Sequence, residues 1–179
     1  TGVFIGISSS EYQSRVTHHG QAAATPYFGT GTSHSAAAGR LAYFLGTTGP
    51  CVAVDTACSS SLTATHLALR SLRAGECDLA IVGGVNVISG PEIHESSAAG
   101  RALASDGRCK SFSEWADGYS RSEGCGVVVL ATRAQAAGRR SYAALVGSAI
   151  NQDGPSNGFT APSPTAQTAL IRQAVQDSG

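Results

Sequence analysis

The sequence predicts a layered α/β fold. Short β-branched runs bounded by glycine or turn residues alternate with longer stretches of helical periodicity, and one strand–helix–strand unit has the length a parallel crossover needs. Within that unit, "CVAVDTA" (51–57) barely alternates and is expected to be a strand buried on both faces. "CSSSLTATHLALRSLRAG" (58–75) places Leu62, Leu69 and Leu72 on one broad face, widened by Ala64, Leu67 and Ala68, which predicts a buried helix. Arg70 and Arg73 suit its C-terminal dipole, and Gly75 is a natural stop. "CDLAIVGGVNVIS" (77–89) is the returning strand, with an expected break at Gly83-Gly84.

The flanking elements follow the same logic. "TGVFIGIS" (1–8) predicts a buried strand. Residues 9–32, with adjacent His18 and His19, Pro26 and a Gly-Thr run, predict a loop. "SHSAAAGRLAYFLG" (33–46) predicts a helix capped by Ser33 and stopped by Gly46, and "TTGP" (47–50) a turn. Beyond the crossover, residues 90–121 are mixed and polar, with one short helix expected near 94–103. "EGCGVVVLAT" (123–132) and "SYAALVGSAIN" (141–151) predict two more strands, antiparallel neighbours or joined by a single helical turn. "QDGPSNGFTAPSP" (152–164) is turn-rich, and "TAQTALIRQAVQDSG" (165–179) predicts an amphipathic helix.

The bulk properties narrow the function. With 179 residues the chain is long enough for one domain with a real core. It opens at Thr1 without methionine, which fits a segment of a longer polypeptide. Twelve basic residues balance twelve acidic ones, Lys110 is the only lysine, and there is no basic run, which argues against a nucleic-acid partner. No apolar stretch approaches the ~18 residues of a membrane span. The five cysteines are odd in number and form no C-x-x-C pair, so free thiols in a reducing cytoplasm fit better than disulfides or a zinc site. "GTGT" (29–32) and "GGVN" (83–86) are not dinucleotide-binding patterns and are expected to serve turns or close packing.

Chemistry concentrates at Cys58, where a strand hands over to a helix. Unpaired backbone N–H groups and the helix dipole at such a point favour a thiolate, and the same N–H groups can stabilise an oxyanion on a carbonyl attacked by sulfur. The alternative is that Cys58 is one more small buried hydrophobe. No partner histidine is evident from spacing: His66 lies eight residues along the same helix, roughly 12 Å at 1.5 Å per residue, too far for a bond to the sulfur. His34 and His94 are isolated, and Asp55, Asp106, Asp117 and Asp153 sit where turn or capping roles are expected. No complete triad assembles.

Four blocks in order nevertheless carry a resemblance: "YFGTGTSHSAAAGRLAYFLG", "GPCVAVDTACSSSLTATHLALRSLRAGECDLAIVGGVN", "DGRCKSFSEWADGYSRSEGCGVVVL" and "GSAINQDGPSNGFTAPSPTAQTALIRQA". Together they resemble the β-ketoacyl synthase (ketosynthase) domains of type I modular polyketide synthases. The resemblance implies a thiolase-like α/β/α fold, with residues 1–179 forming most of the N-terminal half around a mixed, largely parallel sheet. It puts the acyl-accepting nucleophile at Cys58. The implied reaction is a decarboxylative Claisen condensation between the Cys58 acyl thioester and a malonyl-type extender on acyl carrier protein. No bound cofactor is implied, since the thioesters arrive on the carrier's phosphopantetheine arm. A homodimer paired across "CVAVDTA" is implied as well, as is a cytoplasmic location.

The family's two catalytic histidines belong to motifs that do not occur in this sequence; "FGTGT" (28–32) begins with Phe28 and precedes the cysteine. The chain by itself is therefore not expected to complete a condensation. Ser97 stands where relatives commonly carry an aromatic residue of the acyl pocket, which would widen or re-polarise that pocket. Thr160, in "GFTAP", matches a position bordering the substrate channel, and an ordinary loop threonine is the alternative. Segment 131–146 is slightly short against the family. A decarboxylating loading domain typically has glutamine at the cysteine position, so Cys58 argues against it. A non-extending or degenerate ketosynthase, or a purely structural and dimer-contact role, remains the competing reading. "DTACSSSL" with "NQDGPSNGFTAP" fits the multidomain polyketide type better than an animal-type fatty acid synthase.

Overall fold

The computed structural model describes residues 1–18 and 25–179. In chain order the elements are β1 (Gly2–Gly6), α1 (Glu11–His18), α2 (Phe28–Thr32), α3 (His34–Leu45), β2 (Cys51–Val54), α4 (Ser60–Arg73), β3 (Leu79–Asn86), α5 (Glu92–Ala99), β4 (Gly124–Ala131), α6 (Arg133–Ala136) and α7 (Pro164–Asp177). The four strands form one sheet in the order β2-β1-β3-β4. β1 pairs parallel with both β2 and β3, and β4 runs antiparallel to β3. The mixed, mostly parallel sheet is the expected one. The crossover from β2 through α4 leaves a gap that β1 fills.

The period-two alternation of β1 sorts its side chains into two helical layers. Phe4 joins Ala64, Ala68 and Leu72 of α4 together with Cys77, Ala80 and Val82. Val3 and Ile5 point the other way, onto Ala38 of α3. β1 is accordingly buried along its whole length, as its sequence predicts. Small residues dominate the contact faces of both helices, so helix and sheet backbones lie close together.

The glycines explain how close. A Cβ on Gly6 would come within 2.6 Å of the Ser60 carbonyl carbon and the Ser61 nitrogen, and one on Gly84 within 2.8 Å of the Ser61 Cβ. Gly6 and Gly84 are register partners, so the two strands present a floor without side chains to the first turn of α4. Close packing was the expected alternative for "GGVN", and Gly84 fulfils it.

Several expectations are corrected. Residues 9–32 are not wholly a loop: α1 and α2 lie within them, because backbone bonds such as Gly31 N–H to Tyr27 O close helical turns despite the glycines. His19 lies outside the described residues. β3 runs unbroken through Gly83-Gly84, its ladder to β4 holding them in register. β2 is an edge strand with Cys51 exposed and the rest half-buried: it is paired along one edge only, while Val52 and Val54 pack toward the α4 layer and Ala53 toward the α3 layer. Leu62 of α4 is 74 % exposed, while the buried face runs through Thr63, Ala64, Ala68, Leu69, Ser71 and Leu72. Residues 141–151 form no strand. They are held instead by side chains: Arg73 donates to Val146 O (3.0 Å), Asp177 accepts the Ser148 N–H (2.9 Å), and His66 Nδ1 bonds Ser148 Oγ (2.8 Å). The single turn of α6 after β4 and the C-terminal α7, capped by Ser163 through the Ala166 N–H, agree with the sequence.

Candidate active site

Cys58 sits on a tight elbow between β2 and α4, two residues ahead of the first helical residue rather than inside the first turn. The residue before it, Ala57, has φ +53°, a left-handed conformation that costs an alanine on the order of 1–2 kcal/mol. The elbow persists because its neighbours hold it. Asp55 Oδ1 accepts the Ala57 N–H at 2.9 Å, an Asx turn that tolerates the left-handed residue. Ser60 Oγ accepts the Thr56 N–H (2.9 Å) and donates to Ala57 O (2.6 Å). Ser59 Oγ lies 2.8 Å from both the Thr56 carbonyl and the Thr56 hydroxyl, and the Thr56 and Thr63 hydroxyls are 3.0 Å apart.

The run of three serines is thereby explained. Ser59 and Ser60 lock the turn, and Ser61 packs on the Cβ-free floor. The Ser59 and Ser60 N–H groups close the turn onto Thr56 O and Ala57 O, so these two are spent on the elbow rather than left for an oxyanion. Cys58 itself is exposed, not packed as a buried hydrophobe; among the described cysteines only Cys77 is buried.

The sulfur opens into a cavity of about 790 Å³. Its lining comes from the elbow (Ala57, Cys58), the start of α4, the segment after β1, the end of β3, Ile93 of α5, and residues 119–124 leading into β4. This is the edge where the parallel strands end, the place where open α/β sheets take ligands. One buried ion pair lies in that wall: the Arg121 guanidinium meets the Glu11 carboxylate, with side chains 8 % and 4 % exposed. Burial pushes the Glu11 carboxyl upward, but the Arg121 hydrogen bond, the Ser89 and Gly90 N–H groups and the Arg121 charge together bring it below its ordinary value. Sequence reading missed both residues. A glutamate and an arginine 110 positions apart carry no local signal that would pair them.

The other anticipated residues fall as follows. Ser97, half-buried on α5, does not itself line the cavity; its Oγ donates to Ile93 O (2.7 Å) and lies 3.4 Å from the hydroxyl of Tyr119, and both Ile93 and Tyr119 do line it. Thr160 is exposed on the loop before α7 and lines no part of the Cys58 cavity. Among the described residues no histidine lines it. His34 bonds Ser9 O (3.1 Å) beside a second cavity of about 420 Å³ between helices α1–α3, the segment after β1 and the end of β3, and His66 is engaged with Ser148. Asp55 and Asp106 take the turn roles expected of them.

Fold and site thus define a three-layer α/β protein that presents a cysteine on a strained strand-to-helix elbow. Residues 1–136 match the family model for the β-ketoacyl synthase N-terminal domain, and residues 142–179 that for the C-terminal domain. The chain belongs to the β-ketoacyl synthase family. It is 50 % identical over 181 residues to erythronolide synthase EryA3 of Saccharopolyspora erythraea, covering all of this chain and 6 % of that protein. It is 49 % identical to pikromycin polyketide synthase component PikAII of Streptomyces venezuelae, covering 99 % of this chain and 5 % of the relative. Among solved structures, the oxazolomycin ketosynthase domain OzmH KS7 of Streptomyces albus JA3453 superposes with a TM-score of 0.89 at 43 % identity, over 99 % of this chain and 31 % of that one. The module 6 ketosynthase of the bacillaene synthase of Bacillus subtilis 168 gives 0.88 at 40 %, over 99 % and 30 %. The chain therefore spans a tenth or less of these curated relatives and under a third of the solved ketosynthase chains. It corresponds to the N-terminal part of a ketosynthase with a thiolase-like fold.

Proposed function

We propose that this chain is the nucleophile-bearing part of an elongating ketosynthase, in which Cys58 accepts an acyl chain and passes it to a malonyl-derived carbanion. The observation that carries the proposal is the exposed Cys58 sulfur on a locked elbow at the mouth of a large cavity. The Cys58 thiolate attacks the carbonyl carbon of an acyl thioester on acyl carrier protein; the carrier's phosphopantetheine thiolate leaves and takes up a proton. The malonyl-type extender then loses carbon dioxide, its carbanion attacks the Cys58 thioester, and the cysteine thiolate departs. The product is a β-ketoacyl thioester on the carrier. Among the described residues, the histidines that promote decarboxylation in this family have no counterpart around the cavity, so this second half requires groups from elsewhere in the complete domain. Ser97, standing where relatives commonly carry an aromatic residue, widens or re-polarises the acyl pocket beside Tyr119, and Thr160 borders the substrate channel. The exposed edge of β2 is the surface for pairing of two copies in a homodimer, and the protein acts in the cytoplasm.

Acylation mapping tests this directly. The complete ketosynthase domain is offered an acyl pantetheine thioester, and the labelled peptide is found by mass spectrometry. Label on the Cys58 peptide, lost in Cys58→Ala, is the expected outcome. Slow, equal labelling of all five cysteines would replace this reading with the non-extending or structural one.

A further inference from the structure

Glu11 and Arg121 contribute no nucleophile and no proton to the reaction above, yet they form a buried ion pair in the wall of its cavity. Such a pair is a poor stabiliser by itself, since apolar side chains of similar volume hold a core at least as well. What it supplies is direction. Glu11 Oε2 accepts the N–H groups of Ser89 (2.8 Å) and Gly90 (3.2 Å), beyond the end of β3, while Oε1 accepts from Arg121, just ahead of β4. Two further bonds join the same two segments: Asn86 Nδ2 to Ser122 O (2.6 Å) and Ile88 N–H to Glu123 Oε1 (2.7 Å). The segment after β1 is different. It supplies residues 7–11 of the cavity lining, and it reaches this stitching through the Glu11 carboxylate and, at the longer distance of 3.5 Å, through the Ser9 hydroxyl on Val87 O. The Glu11 carboxylate is thus the charged tie of this part of the wall to both of the others, with short bonds to Ser89 and Arg121 where Ser9 adds one long bond to Val87 O alone.

We infer that Glu11 and Arg121 are a positioning pair: they hold the acyl-binding wall of the Cys58 cavity in register with the sulfur, and so set how well a long acyl chain is accepted. The inference rests on the condensing reading for what fills the cavity, though not for the geometry. Arg121 Nη1 is buried without a hydrogen-bond partner among the described residues, so the guanidinium grips Glu11 through Nη2. A lysine, with one ammonium directed at the carboxylate, can keep that grip. A glutamine at position 11 cannot: its single carbonyl oxygen serves either the backbone N–H groups or Arg121, and its amide meets the other donors head-on.

The test uses the complete ketosynthase domain as wild type, Glu11→Gln, Arg121→Leu and Arg121→Lys, with acetyl and decanoyl pantetheine thioesters. Acylation of Cys58 is measured per folded molecule. Glu11→Gln and Arg121→Leu are expected to lower kcat/KM for the decanoyl thioester by about tenfold or more while changing the acetyl value far less, and Arg121→Lys to restore most of the loss. Unchanged decanoyl-to-acetyl ratios in both disruptive variants, with only the folded fraction reduced, would overturn the inference. Failure of the wild type to acylate at Cys58 would instead strike the condensing reading. The positioning pair would then be decided by alkylation of Cys58 with iodoacetamide and its N-decyl derivative: a shifted rate ratio in Glu11→Gln upholds it, an unshifted one overturns it.

Discussion

At the scale of single residues, Ala57 and Glu11 hold conformations or charges that cost free energy in isolation. Ala57 is left-handed next to the nucleophile, so Ala57→Gly removes a strain on the order of 1 kcal/mol while adding unfolded-state freedom of similar size. Its melting temperature is expected to stay within a few degrees of wild type. Ala57→Val, β-branched at the same φ, is expected to lose at least about 1 kcal/mol in urea unfolding. Glu11 makes stability depend on pH. Its folded-state pKa lies below the ordinary 4.5, so the unfolded chain binds the proton more readily. The stabilisation is therefore complete above about pH 4.5 and is lost as pH falls through the depressed value. Asp177, lowered by the Arg73 hydrogen bond and the Ser148 N–H, acts in the same direction. Urea melts at pH 7 and pH 4 are expected to show wild type losing more stability than Glu11→Gln, which keeps the Asp177 contribution and lacks only the carboxylate at position 11.

At the scale of elements, the decisive contact is α4 on the paired glycines of β1 and β3. A methyl group on Gly6 would meet backbone atoms of Ser60 and Ser61, which have no rotamer to yield, whereas on Gly84 it would meet the Ser61 Cβ. Gly6→Ala and Gly84→Ala are both expected to destabilise by roughly 1–3 kcal/mol, Gly6→Ala the more. Because relief requires lifting the first turn of α4, Cys58 acylation should fall further than the lost stability explains. Comparing acylation per folded molecule with denaturant midpoints checks this. A loss confined to stability would mean the elbow is held by its serines alone.

At the scale of the whole molecule, the apolar surface is unusually large. Tyr43 and Phe44 at the end of α3 are 90 % and 84 % exposed, and Val127, Val128 and Val129 are more than half exposed on both faces of β4. Single exposed apolar residues are ordinary, but a strand open on both faces and a pair of bare aromatics call for cover. The solved ketosynthase chains, of which this chain spans under a third, are large enough to supply it. The 179-residue chain alone is expected to bind a hydrophobic dye and to self-associate, and the complete domain to do neither. Equal dye binding by the two would show that these faces stay open.

The sequence by itself determined the order of most elements, the parallel crossover around Cys58, the stops at Gly46 and Gly75, and the family. Each of these depends on local periodicity, on a glycine that must turn left-handed (Gly46 at φ +64°, Gly75 at φ +74°), or on a run of contiguous residues. Tertiary structure decided what depends on neighbours far along the chain. β2 became an edge because β1 took the place between it and β3; Gly83-Gly84 stayed in a strand because β4 paired along it; residues 141–151 were drawn to α4 and α7 by polar side chains instead of joining the sheet. The same holds in the site: the cysteine was legible where strand met helix, whereas the Glu11–Arg121 pair was not. Two charges 110 residues apart carry no local signal, and only the fold brings them to one carboxylate's reach of three strand ends.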